Sequence, residues 1–265
     1  MRDLGLPLID IHGHIGTLQN PSPGLPPRWM WGDVHRIERM VISCGIDKLF
    51  ISSLWSCAGQ LAGENEVIEA TKISEKLYFW TVLDPRSETN FEVAEKMLLN
   101  PRCTGIKLHP VWQGWDLRDH LGKVMSFAAE RNAVVLCHTE LGQEGANPFI
   151  CAVEANKFPR AKLIMAHLGF GQPPRKSCSL DHVRAIQLNR HNNLYVDTAS
   201  QAMIFAGLLE EVIKLIGSEN VIFGTDLPLH FPQLILQRVL EAEISDSDKE
   251  NILFRNARLL WPNIN

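Results

Sequence analysis

Eight short apolar runs recur along this chain: Leu8–His12, Lys48–Ser53, Leu77–Leu83, Thr104–His109, Ala133–His138, Lys162–His167, Asn193–Thr198 and Asn220–Thr225. From the second onward they start about 26–31 residues apart, the length of one strand plus one crossover helix. They are rich in Val, Ile and Leu with little polar alternation, the pattern of parallel strands covered by helices. Between them lie helical patterns at Val34–Ser43, Glu64–Lys76, Phe91–Leu99, His120–Arg131, Pro148–Lys157, Asp181–Arg190 and Ile204–Ile216. Leu208, Leu209, Val212, Ile213 and Ile216 fall on one helix face. Gly217 is a helix stop and Asn147-Pro148 a helix start. A further stretch, Asp246–Trp261, predicts an additional helix that closes the outer ring. An open doubly wound sheet is the alternative, but no Gly-x-Gly-x-x-Gly follows the first strand. The expectation is an α/β chain: a (β/α)8 TIM barrel with an extra C-terminal helix, one domain over 1–265.

Composition narrows the function classes. The net charge is −4 and no Lys/Arg run is long enough to track phosphates, which argues against a nucleic-acid partner. The six cysteines are scattered without a Cys-x-x-Cys, favouring a reducing compartment over a disulfide scaffold or a zinc ribbon. The chain passes into its first strand with no signal peptide in view. Its most apolar long segment, Val221 to Leu240, holds Asp226, His230 and prolines, so no membrane span is expected. A cytoplasmic protein with a small-molecule partner is the expectation.

The polar residues cluster where the runs end. Strand one closes in Asp10-Ile11-His12-Gly13-His14, where alternate side chains share a face and His12 and His14 stand roughly 6–7 Å apart. Two imidazoles at that spacing can converge on one divalent ion. Ten histidines in this length give about 0.4 such pairs by chance, so the pair alone is weak. It gains weight from Lys107 and His109 ending strand four, His138 ending strand five, His167 ending strand six and Asp226 ending strand eight. In barrel enzymes the catalytic groups come from these ends. His35, His120, His182 and His191 fall in helical patterns and read as surface residues; His230 and Glu140 are weaker candidates.

Two loops depart from the regular spacing. The first interval is longer because of Thr17–Gly32, a Pro-rich stretch holding Arg28, Trp29 and Trp31, and long loops in compact domains are often lids. The loop after strand four adds Trp112 and Trp115. Together these tryptophans would form an aromatic roof over one barrel end or pack on each other; if exposed, they are compatible with a homodimer.

The ordered set Asp10-Ile11-His12-Gly13-His14, Gly105-Ile106-Lys107-Leu108-His109-Pro110, Cys137-His138, Ala166-His167-Leu168-Gly169, Gly224-Thr225-Asp226 and Arg255-Asn256-Ala257-Arg258-Leu259-Leu260 resembles the amidohydrolase superfamily. Its amidohydrolase-2 branch, with the aminocarboxymuconate-semialdehyde decarboxylases and related lactone hydrolases, is the nearest in pattern. The resemblance implies His12, His14, His138 and Asp226 as metal ligands, with Asp226 also the proton shuttle and His167 steering water or charge. Three imidazoles and a carboxylate with an open position suit one Zn²⁺ ion. A carboxylated Lys107 would instead bridge two ions. Unmodified, Lys107 would meet a substrate carboxylate or oxyanion, or be buried in an ion pair with Asp10 or Glu140. His109, Arg28 and Trp112 are further candidate substrate contacts. The implied activity is metal-dependent hydrolysis of an ester, lactone or amide of a small, carboxylate-bearing substrate; non-oxidative decarboxylation is the alternative.

Overall fold

The structure is a computed structural model that describes residues 5–17, 31–59, 63–171 and 178–264. Its eight parallel strands are β1 (Ile9–Thr17), β3 (Lys48–Ser53), β4 (Leu77–Val82), β5 (Cys103–Leu108), β6 (Val134–Cys137), β7 (Lys162–Met165), β8 (Leu194–Asp197) and β9 (Val221–Ile222). They pair in that order, and a two-residue strand β2 (Trp31–Gly32) adds antiparallel to the end of β1. The ring closes by backbone bonds across the seam: Ile11 N–H to the Phe223 carbonyl (3.1 Å), Asp226 N–H to His12 (2.7 Å) and His14 N–H to Leu227 (2.7 Å). The expected (β/α)8 barrel is the observed architecture.

Strand burial explains the weak polar alternation of the sequence. β6 and β8 are buried along their whole length, because one face packs into the lumen and the other onto helices. Those helices include α1 (Val34–Cys44), α2 (Leu54–Cys57), α3 (Glu64–Ile73), α4 (Glu88–Leu98), α5 (Pro110–Gln113), α6 (Leu117–Arg131), α7 (Pro148–Lys157), α8 (Asp181–Gln187), α9 (Leu208–Ile216) and α10 (Pro232–Leu240). Local chemistry sets their ends. Asp33 accepts the Arg36 N–H at the start of α1, and Gly45 leaves it at φ 75°. Asn147 caps α7 with Pro148 in its first turn, as read from the sequence.

Three segments differ from expectation. β1 continues past His12 to Thr17 and shifts register against β3 between Asp10 and Gly13, a bulge inside the ligand-bearing stretch. The expected helix Ile204–Ile216 is a 3₁₀ turn over Gln201–Ile204 followed by α9; Gly207, at φ 85°, separates them. The C-terminal stretch is α11 (Asp246–Glu250), a π turn (Asn251–Arg255) and α12 (Asn256–Leu260). The π turn leaves the Ile252 carbonyl to the Phe223 N–H (2.9 Å).

This C-terminal stretch does not join the outer ring; it closes the N-terminal end of the barrel. Asn256 donates to the Ser218 and Val221 carbonyls (2.7 and 2.8 Å). The Trp261 indole donates to the Thr104 carbonyl (2.7 Å) and packs edge-on against Phe50 and Trp80, at 4.9 and 5.6 Å between ring centres. Trp80 itself reaches across β3 to the Ile11 carbonyl (2.8 Å). Gly105 lies beside it, where a Cβ would come 2.2 Å from the Val134 carbonyl oxygen and 3.0 Å from the Trp80 ring. With one end filled by aromatic rings, the polar part of the lumen lies at the C-terminal end.

Candidate metal centre

At that end β1 delivers His12 and His14, whose rings stand 5.3 Å apart. Each has its Nδ1 held. His12 Nδ1–H donates to Asp197 Oδ2 (2.7 Å), which leaves Nε2 with its lone pair facing the lumen. His14 Nδ1 is bonded to the Ser52 hydroxyl (2.9 Å). Asp226 Oδ1 completes the group, 3.0 Å from His14 Nε2 and 3.6 Å from His12 Nε2. His14 Nε2 is out of line for a hydrogen bond and His12 Nε2 is too far, so among the described residues Oδ1 is a buried acceptor with no donor.

Those observations fit a divalent cation. Two imidazole nitrogens and a carboxylate oxygen, all within 4.8 Å of one another, converge where a buried anion lacks a donor. A second trio of His12, His167 and Asp197 also lies within that distance. There Asp197 is already an acceptor for His12 Nδ1–H, for the His167 N–H (2.8 Å) and for the Ala199 N–H (3.1 Å), so it orients ligands.

His138 and His167 form a separate pair. His167 Nδ1–H donates to the Ala199 carbonyl (2.5 Å), which makes Nε2 an acceptor for His138 Nδ1–H at 2.9 Å. His138 Nε2 then faces Glu140 Oε2 at 3.4 Å. His138, expected as the third imidazole ligand, therefore stands outside both trios; His167 lies between it and His12, at ring separations of 4.7 and 5.0 Å. Burial, followed by the nearby Lys107, pushes His138 down to about 3. Both His167 (φ 71°) and Asp226 (φ 61°) have left-handed backbones, a strained state for these residues that recurs at functional sites.

Lys107 is fully buried, and its Nζ donates to His12 Nε2 at 2.8 Å. No carboxylate of a described residue forms an ion pair with it, so the expected partner Asp10 or Glu140 is not found. Asp10 instead accepts from Thr225 Oγ1 (2.6 Å), Thr225 N (3.1 Å) and His12 N (3.0 Å), tying β1 to the segment after β9, and burial pushes it up to about 7. His109 is stacked between Trp112 and His138, with 4.1 Å between ring centres on each side. Its Nδ1 accepts the Trp112 N–H (3.3 Å).

Of the expected roof, Trp112 is 37% exposed, whereas Trp115 is buried in the core with its indole bonded to Gln113. Arg28 and Trp29 lie outside the described residues, as does the Trp31 side chain. Sequence reasoning missed Asp197 and Ser52. It also placed His182 on the surface, whereas that residue is fully buried.

The chain matches the Amidohydrolase family model, Amidohydro_2, over residues 58–262. No curated protein matches it. Among solved structures, an uncharacterized TIM-barrel protein from Bordetella bronchiseptica is 15% identical over 98% of this chain and 99% of that one, with TM-score 0.75. A dihydroxybenzoic acid decarboxylase from Polaromonas sp., with bound manganese and the inhibitor 2-nitroresorcinol, is 15% identical over 96% of each chain, with TM-score 0.70. A probable 2-pyrone-4,6-dicarboxylic acid hydrolase from Acinetobacter baumannii, with citric acid bound, is 13% identical over 96% and 99%, with TM-score 0.65. No helix among the described residues is long and apolar enough to cross a membrane. With the barrel and the family match together, the chain is an enzyme of the amidohydrolase family.

Proposed function

We propose that this enzyme acts on a small carboxylate-bearing substrate with the help of one divalent metal ion, and that loss of CO₂ is the reaction to test first. The observation that carries the substrate class is Lys107, a fully buried amine set against His12 with no carboxylate partner among the described residues. A carboxylate entering the lumen supplies that partner and offsets the amine's desolvation. His12, His14 and Asp226 would hold the ion, with His138 as the further ligand that the family pattern implies. When bound, the ion supplies Lewis acidity that polarises a carbonyl or carboxylate oxygen and acidifies water.

The chain's own groups divide the remaining work. Asp226 Oδ2, 3.8 Å from His230 Nδ1, is placed to hand a proton to a substrate carbon or leaving group. His167, its Nδ1–H fixed on Ala199, accepts or returns a proton only at Nε2. His109 and Trp112 offer a flat, stacked wall beside them. The manganese-bound decarboxylase of the same fold supports CO₂ loss. The lactone-type hydrolase supports a second reading, hydrolysis of an ester, lactone or amide. Screening metal-loaded enzyme against aromatic and enoic acids, lactones, esters and N-acyl amides separates them. CO₂ release confirms the first reading, acid release without CO₂ the second, and neither product overturns both. Metal analysis of the purified protein decides between Zn²⁺ and Mn²⁺; two ions per chain with a carboxylated Lys107 would overturn the single-ion site.

A further inference from the structure

Beyond the last paired residues of β6 and β7, little holds the two histidine-bearing strand ends together. Their register stops at Cys137 with Met165, and the Ala166 N–H still reaches the Cys137 carbonyl at 2.8 Å. Among the described residues their backbones pair again at one bridge, Leu141 with Gly171, and the two imidazoles themselves are bonded at 2.9 Å. Between those points stand His138 and His167, and a side-chain chain of bonds spans the gap. The Thr139 hydroxyl donates to the Ala166 carbonyl (2.7 Å). Its oxygen is then the acceptor for His182 Nε2–H at 2.9 Å. His182 Nδ1 in turn accepts the Gly169 N–H at 3.2 Å, in the turn that follows His167.

We propose that His182, acting through the Thr139 hydroxyl, is a positioning residue that sets the spacing of His138 and His167. Each donor and acceptor in the chain has one consistent role, with His182 neutral and its proton on Nε2. A second proton on Nδ1 would face the Gly169 N–H, donor against donor. Burial, followed by the nearby His167, supports that state by pushing His182 down to about 4. Thr139 is flanked by His138 and Glu140, and Ala166 directly precedes His167, so a shift in either bond moves an imidazole at its backbone. His167 also has a left-handed φ, and a residue held in such a state persists only where its surroundings over-determine it. Asp197 holds His167 from the β8 side; His182 and Thr139 hold the same turn from the β6 side.

The inference rests on reading His138 and His167 as part of the catalytic site, but its first measurement does not need a substrate. Nitrogen-15 NMR of the imidazoles reports tautomers and hydrogen bonds directly. In Thr139→Val, which keeps the shape and removes the hydroxyl, and in His182→Phe, the His138 and His167 signals should lose their single-tautomer pattern while those of His12 stay unchanged. Thr139→Ser should restore the wild-type signals. For whichever reaction the substrate screen reveals, kcat of the metal-saturated variants should fall about 10–100-fold with KM unchanged. Unmoved His138 and His167 signals in folded Thr139→Val overturn the inference, even if His182→Phe does not fold. Moved signals with unchanged kcat leave the bonds real but overturn the role. Absence of any substrate in the screen counts against the proposed function and not against the NMR result.

Discussion

At its N-terminal end the barrel lumen is filled by Phe50, Trp80 and Trp261, whereas two residues further along β3 and β5 it holds Ser52 and Lys107 facing His12 and His14. The first end is built from ring contacts and two indole hydrogen bonds, to Ile11 and Thr104, with its donors satisfied. Among the described residues, the second holds a carboxylate oxygen without a donor, a lysine without a carboxylate and two polar residues with left-handed backbones. Each left-handed residue costs about 1–3 kcal/mol. The barrel thus carries stability at one end and stored strain at the other. Substitutions at the two ends should separate into losses of folding and losses of chemistry.

The largest expected effect is at Asp226. Asp226→Asn removes a metal-facing oxygen and the proton carrier, so turnover should drop about a thousandfold or more with loss of bound metal. Folding should survive, because asparagine tolerates the left-handed φ at this position and the lost carboxylate oxygen had no donor. A metal assay and a thermal melt on the same sample check this, and retained metal with retained turnover would remove Asp226 from the site. Next in size is Trp261→Ala at the opposite end. Losing the packing on Phe50 and Trp80 and the bond to Thr104 should cost about 3 kcal/mol in urea unfolding. Metal affinity of the folded fraction should stay as in wild type; a parallel loss would mean the two ends are not independent.

A smaller effect is expected at Asp197. Asp197→Asn keeps the shape but weakens the charge-assisted bond to His12 Nδ1–H, so metal affinity should fall about 10–100-fold. Competition with a chelator reads this directly, and an unchanged affinity would assign Asp197 to folding alone.

How much of this was legible in the sequence follows the same division. The apolar runs and their spacing exposed the barrel because parallel strands bury both faces, and their polar ends exposed His12, His14, His167 and Asp226. Asp197 ends an apolar run, Leu194-Tyr195-Val196, as plainly as Asp226 follows another, so the signal for it is present in the sequence. Ser52 gave no signal, since a serine at a strand end is ordinary and acts here only through His14. His182 was hidden because α8 is seven residues long, too short for periodicity to reveal which face turns inward. The grouping of His12 with His14 followed from alternation, although the bulge in β1 did not. The separation of His138 from them depends on side-chain bonds to His167 that no spacing encodes.

The smallest expected effect is a pH dependence confined to the polar end. Glu64 is buried beside Thr81 and Val82, accepting from the Thr81 hydroxyl and the Val82 N–H (both 3.2 Å), and burial pushes its carboxyl up to about 7 from 4.5. The folded state therefore keeps a proton that the unfolded chain has released. Its contribution is fully present below the unfolded value and is lost as pH rises through about 7. Asp10, also pushed up to about 7, acts in the same direction, whereas His138 and His182, pushed down to about 3 and about 4, act in the opposite one. The difference between wild type and Glu64→Gln isolates the Glu64 part. Wild type should lose roughly 1–2 kcal/mol relative to the variant between about pH 5.5 and about pH 7. Parallel stability curves for the two would show that Glu64 is ionised in the folded state. Trp261→Ala, altered only at the aromatic end, should keep the wild-type pH slope, because nothing it removes titrates.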